Sequence, residues 1–346
     1  MKINADTLRD FCTGILMAAG LNHEEAWSLS DCMVEADLRG VGSHGVSRLY
    51  YYSSRVKSRV ISTGTVPEIM TKAGAVMTVD GKNGVGPKVG RWVMDRCIEG
   101  AKEQGAFFAT VNHGNHFGIA AYYSEYAANH DMIGIVACNS DKSVAPYGGA
   151  VPMLGTNPIS IAVPAGKHPP FILDMATSVV ARGKIVLAGK EGKQIPSDWA
   201  VDKNGATTTD PKDALVGTLL PMGGPKGYGI SLFIDILCSC LGSALDSRRI
   251  NKFWDDFENP QGVGFFMGAF DITKFIDIGI FKQRMDLMID EFHACPPAPG
   301  VAEVLVAGEP EYRNKQKAMK EGVIISDTIY NDLKKLSGVY GTPMNF

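Results

Sequence analysis

Near the start of the chain apolar residues recur at spacings of three and four, at Leu8, Phe11, Ile15 and Leu16, and a second such run from Ala26 to Leu38 ends at Gly40. That period marks one buried face of a helix, so the opening of the chain reads as helical. From Ala75 the pattern changes. Short apolar runs, AVMTVD, FFATV, IGIVAC and FILDM, alternate with glycine-rich turns and with a helical stretch from Lys88 to Gln104, which predicts a mixed α/β core. The run PPAPG from Pro296 ends a further helix, and the tail from Tyr312 returns to helical patterning with a charged face. The most apolar stretch, Tyr228 to Leu245, carries Asp235 in its middle together with several Ser and Gly. Those residues make it costly as a membrane span, and it reads as a buried helix.

A chain of 346 residues is long enough for one large or two ordinary domains with an enclosed site. Its formal charge of −3 argues against a nucleic-acid or anionic-membrane partner, while leaving room for a local basic pocket. Seven cysteines lie scattered through mostly apolar segments without a Cys-x-x-Cys pair and read as reduced core thiols. The N-terminal segment MKINADTLRDF lacks the pattern of a signal peptide, and a cytoplasmic location is expected.

One glycine cluster invites a dinucleotide reading. The strand-like AVMTVD is followed by Gly81, Gly84, Gly86 and Gly90 and then by a helix. The spacing from Gly84 is G-x-G-x-x-x-G, however, and Glu99 and Glu103 both fall inside the helix instead of ending a second strand, so the Rossmann fingerprint is not met. The glycines are read as structural.

Candidate chemistry concentrates in ADLRGVGSHGVSRLYYY. Gly40 should stop one helix and Ser43 cap the next. His44, Arg48 and Tyr52, four residues apart, would then share one helix face. An acid/base, a carboxylate clamp and a hydroxyl are what a 2-hydroxy acid dehydrogenase needs. Spacing alone leaves a second reading open, with Arg48 in a surface ion pair and His44 helping to cap its helix. In VNHGNHFGIAAYY, Asn112, His113, Asn115 and His116 follow a strand and precede a helix, where polar side chains commonly line clefts. His116 is a second acid/base candidate. No carboxylate or cysteine set completes a metal site around His113 and His116, and no metal is expected. Asp174, just after a short apolar strand, suits either a helix N-cap or a ribose contact, and Lys226 between Gly224, Pro225 and Gly227 could offer a point charge to a phosphate.

Taken in order, ADLRGVGSHGVSRL, NHFGIAAYY, LGTNPISIAVP, FILDMATS, PSDWAVDKNGATTTDP and GPKGYG resemble the type-2 malate/L-lactate dehydrogenase family, which includes ureidoglycolate, sulfolactate and diketogulonate oxidoreductases. The resemblance implies an α/β (α+β) fold with a non-Rossmann, mixed-sheet core at residues 73–295. It also implies a mainly helical second domain made of residues 1–72 and the C-terminal segment 296–346, and a homodimer. It implies NAD or NADP as cofactor, held by Ser140, by Asp174, Met175 and Ala176, by Lys226 and Gly227, and by Gly308 and Glu309. His116 or His44 would be the proton acceptor and donor, Arg48 the carboxylate clamp, and Tyr52 and Lys142 pocket-lining residues. The expected reaction moves a hydride between NAD(P) and a small 2-hydroxy acid, most simply malate or L-lactate. The alternatives are ureidoglycolate, a sugar acid of the diketogulonate type, or a binding protein that keeps the fold without the chemistry.

Overall fold

The computed structural model describes residues 1–346. A two-residue strand β1 (Lys2–Ile3) leads into α1 (Ala5–Ala19), which Asn4 caps by accepting the N–H groups of Asp6 and Thr7. Helix α2 (His23–Leu38) starts from a reciprocal capping box between Asn22 and Glu25. With α3 (Leu49–Lys57) these helices bury Leu8, Phe11, Ile15, Leu16, Leu29, Met33, Leu38 and Leu49 in one apolar cluster.

The period of two then takes over. Strands β2 (Glu68–Ala73) and β3 (Val76–Asp80) form a hairpin, and α4 (Gly86–Gln104) crosses from β3 to β4 (Ala106–Gly114). Helix α5 (Ala121–Ala128) precedes β5 (Met132–Cys138), β6 (Ile159–Val163) and β7 (Phe171–Met175). An excursion follows, with α6 (Arg182–Lys190), β8 (Ala200–Val201), α7 (Pro211–Val216) and β9 (Thr218–Leu219) around a small apolar cluster of their own. Helix α8 (Pro225–Asp235) runs into a π-helical turn at Ile236–Leu241, and β10 (Val263–Asp271) returns to the main sheet before α9 (Ile278–His293). Helix α10 (Glu309–Glu321), β11 (Val323–Ile324) and α11 (Asp327–Tyr340) close the chain. Here β11 pairs with β1, and Val323, Ile325, Leu333 and Leu336 join the N-terminal helical cluster.

The seven-stranded sheet has the order β2-β3-β4-β10-β5-β6-β7. Only β3 and β4 are parallel; the other pairings are antiparallel. A doubly wound parallel sheet is thereby excluded, as the glycine spacing implied. Strand β10 lies in the middle and is buried on both faces, with α4 against it on one side and the π-helical turn on the other.

The stretch expected as a buried helix departs from that expectation. Leu232, Phe233, Ile236 and Leu241 are exposed on α8 and the turn after it. The inner face, with Ile234 and Cys238, packs on the sheet, and the single chain has nothing to cover the outer one.

Candidate active site

His116 is placed by the end of β4. Its backbone N–H donates to Oε1 of Gln261 at 2.7 Å, and the Asn115 amide donates to the carbonyls of Asn83 and Gly84 at 2.9 and 3.0 Å. The glycine cluster serves the same place. A Cβ added at Gly86, the first residue of α4, would run into the carbonyl of His116, so glycine there lets the helix start abut the peptide that carries the histidine.

The Tyr52 hydroxyl, reaching in from α3, lies 2.5 Å from Nδ1 of His116, and the Gly118 N–H donates to the same nitrogen at 3.3 Å. A backbone N–H can only donate, so Nδ1 is an acceptor and the neutral ring carries its proton on Nε2. His44 stacks on His116 with ring centroids 5.5 Å apart, and Phe253 packs on the other ring at 4.8 Å.

The expected helix bearing His44, Arg48 and Tyr52 is not formed as one element. Gly42–His44 and Val46–Arg48 are separate 3-10 turns broken at an extended Gly45, and α3 begins only at Leu49. Ser43 caps nothing; its hydroxyl pairs with Nδ1 of His44 at 2.9 Å. The capping role falls to Asp37 on α2, whose Oδ2 accepts the Val46 N–H at 2.8 Å. The three side chains converge through this folded-back turn.

The guanidinium of Arg48 is buried, its Nε donating to the Ser43 carbonyl at 2.5 Å and its plane stacking on Trp254 at 3.6 Å. That arrangement leaves the outer nitrogens for a bound carboxylate, the two-point geometry that a planar guanidinium favours. Burial pushes the Arg48 pKa down to about 10, still charged at neutral pH. Burial, reinforced by the positive charge of Arg48, brings His44 down to about 3 and holds His116 well below the usual histidine range. Both imidazoles are neutral at pH 7. Tyr52, which the resemblance implies as a pocket-lining residue, is 1% exposed and directs its hydroxyl to His116.

The other expected residues fall into two neighbouring groups. In the first, the N–H of Met222 donates to the Thr177 carbonyl, that of Thr177 to Thr156, and that of Thr156 to Oγ of Ser140. This ladder brings Ser140, the end of β7 at Met175–Ala176, and the loop before Lys226 side by side. Helix α8 begins there after Gly223 and Gly224, both at positive φ, with no side-chain cap and with Lys226 exposed in its first turn. A Cβ at Gly227 would strike the Met222 carbonyl. An uncapped helix start, a lysine and a backbone without side chains fit a dinucleotide's phosphates. Lys142 is exposed in the loop that follows Ser140, next to Asp141, whose charge acts on Arg48.

In the second group, Asp174 lies within β7 and not before a helix; its Oδ2 accepts the Ala121 N–H at the start of α5. The Asp174 carboxylate is exposed, and desolvation raises its pKa to about 6. The Ile172 N–H donates to the Ala307 carbonyl, which seats Gly308 on β7. Both oxygens of Glu309, the other residue expected in this loop, are engaged within the protein, by His293 and by the Val306 N–H.

Sequence reasoning missed Phe253, Trp254, Gln261 and Asp37. The first three come from one loop, NKFWDDFENPQ, where two adjacent aromatics among acids were the available signal.

Residues 3–334 match the family model described as malate/L-lactate dehydrogenase. The chain is 40% identical over 341 residues to the L-sulfolactate dehydrogenase of Methanocaldococcus jannaschii, covering 99% of this chain and 98% of that protein. It is 34% identical to the NAD(+) ureidoglycolate dehydrogenase of Escherichia coli K12, over 96% and 95% of the two chains. The crystal structure of malate dehydrogenase from Entamoeba histolytica superposes with a TM-score of 0.94 at 32% identity, over 100% of this chain and 99% of that one. The chain therefore belongs to the malate/L-lactate dehydrogenase family, whose members act as 2-hydroxy acid dehydrogenases. None of its helices is long and apolar enough to cross a membrane.

Proposed function

We propose that this enzyme moves a hydride between NAD or NADP and a small 2-hydroxy acid bearing a second anionic group on C3, with malate and sulfolactate as its leading substrates. The observation that carries the reading is the convergence of Arg48, His44 and His116, a buried cation beside two neutral imidazoles. Relatives named for malate and for sulfolactate support the choice of substrate, since both compounds join a 2-hydroxy carboxylate to a C3 anion. Lactate, the other expected substrate, lacks that anion.

NAD or NADP, when bound, supplies the hydride acceptor and donor. Ser140, Met175, Ala176, Lys226 and Gly227 are proposed to hold it, with Asp174 and Gly308 at the far edge. Arg48 fixes the carboxylate and thereby the face of C2 that is presented. His116, with its proton on Nε2, donates a hydrogen bond to the C2 oxygen. His44, in the tautomer that donates Nδ1–H to the Ser43 hydroxyl 2.9 Å away, accepts the hydroxyl proton on Nε2 during oxidation and returns it during reduction.

A panel of malate, sulfolactate, lactate, ureidoglycolate and 2,3-diketogulonate with each nucleotide tests the proposal by NAD(P)H absorbance. Turnover restricted to ureidoglycolate or diketogulonate would move the enzyme to the alternative substrates. Nucleotide binding without turnover of any 2-hydroxy acid would overturn the reading.

The exposed apolar row on α8 and the following turn supports a homodimer in which a second copy covers Phe233, Ile236 and Leu241. Light scattering of the purified protein decides this. All seven cysteines are free thiols, which supports a reducing compartment, the cytoplasm.

A further inference from the structure

We propose that His168, His293 and Glu309, with Asp290 beside them, form a binding site for a divalent cation of the zinc class, separate from the catalytic pocket. His168 lies in the turn between β6 and β7, His293 is the last residue of α9 and Glu309 the first of α10. The turn is fixed to α9 by Asp286, which accepts the N–H groups of Gly166 at 3.0 Å and Lys167 at 2.9 Å. Asp286, Asp290 and His293 follow at helical steps along one face of α9, so the helix presents its donors to the turn in register.

The donor geometry is close to what such an ion requires. One nitrogen or oxygen from each of His168, His293 and Glu309 lies within 4.8 Å of the others. Nε2 of His293 is 2.8 Å from Oε1 of Glu309, and Nε2 of His168 is 2.8 Å from Oδ1 of Asp290. A tetrahedral zinc ion with bonds of about 2.0–2.2 Å sets its donors roughly 3.3 Å apart, inside that range. Small side-chain movements open the two contacting pairs and draw the remaining donors in.

Charge and access agree with the geometry. Glu309 supplies one buried carboxylate, and Asp290 a second that it shares with the Lys167 ammonium 2.5 Å away; both imidazoles bind the ion in the neutral form, so binding releases any proton they share with the carboxylates. Glu309 is buried while His168 and His293 keep 19% and 31% of their side-chain surface, which gives a hydrated ion a way in. The site ties β7's approach turn to α9 and α10, more than a hundred residues further along the chain. No local motif could have announced it.

The test uses the full chain, stripped with a chelator and titrated with zinc chloride by calorimetry. Four proteins are compared: wild type, His168→Asn, His293→Gln, and Cys295→Ser, which removes an exposed thiol near His293. Wild type and Cys295→Ser are expected to bind one ion per chain with matching affinity, and each histidine variant to bind at least about tenfold more weakly. Zinc should raise the Tm of the first two and not of the histidine variants. Cobalt(II) absorption on the wild type gives a second readout that needs no variant to fold, and should show nitrogen and oxygen ligation without a thiolate charge-transfer band. The inference is overturned if wild type binds no zinc, if the histidine variants bind as tightly as wild type, if Cys295→Ser loses the ion, or if the cobalt spectrum shows thiolate.

Discussion

The hydroxyl of Tyr52 sits 2.5 Å from Nδ1 of His116 and is sealed from solvent. A buried group in that position sets which nitrogen of the imidazole faces the substrate. Tyr52→Phe should lower kcat about tenfold to a hundredfold with little change in KM, while costing only about 1 kcal/mol of stability through the lost hydrogen bond. Steady-state kinetics and thermal unfolding measure both quantities, and an unchanged kcat would show that Tyr52 does not act through His116.

Gly45 is pressed against the Asp37 carboxylate, and an added Cβ would collide with it. Gly45→Ala must either push Asp37 away from the Val46 N–H or shift the turn that carries His44. A loss of about 1–3 kcal/mol is expected, as for overpacking elsewhere, together with a fall in kcat/KM larger than stability alone explains. A variant as stable and active as wild type would mean that the turn accommodates a methyl group.

Arg48→Lys keeps the charge but loses the flat two-point donor and its stacking on Trp254. The expected result is a fall in kcat/KM of about tenfold or more for every 2-hydroxy acid turned over, corresponding to about 1.4 kcal/mol or more of transition-state binding. Wild-type kcat/KM in this variant would remove Arg48 from the site.

The pH profile follows from the two depressed imidazoles. An ordinary histidine base would lose its lone pair below its usual 6.5, whereas His44 is held down to about 3. In the oxidising direction kcat/KM should therefore show no histidine inflection between about pH 5 and 8. Stability carries the same sign. Between 6.5 and 3 the unfolded chain binds the proton that folded His44 refuses, so this residue's contribution is present above 6.5 and is lost as the pH falls through that window. Asp37 and Asp174, raised to about 7 and about 6 by desolvation, titrate in this window, so the check is the ring itself: an NMR titration of His44 with a midpoint near 6.5 would show that it titrates as if exposed.

Much of the fold was legible because it was written locally. The spacing of Leu8, Phe11, Ile15 and Leu16 gave α1, and the alternation in AVMTVD gave β3, since each records which side of one element meets the core. The separation of His44, Arg48 and Tyr52 pointed to the right residues through the wrong element. Gly45 breaks the helix that the step of four assumed, and convergence came from a folded-back turn held by Asp37. Trp254 and Gln261 were invisible because their roles exist only once a loop more than a hundred residues downstream lies over Arg48 and His116, a long-range fact with no period. The exposure of Phe233 was hidden for a related reason: an apolar run reports that a surface wants covering and not which molecule covers it.

Strand β10 enters the middle of the sheet, between β4 and β5, from residues 263–271. During synthesis both of those neighbours therefore emerge with an unpaired edge and wait for well over a hundred further residues before the gap is filled. A ribosome that stalls in that interval releases a chain with two open templates for strand addition. Production of this enzyme should depend on chaperones that shield β-edges more than its final compactness suggests.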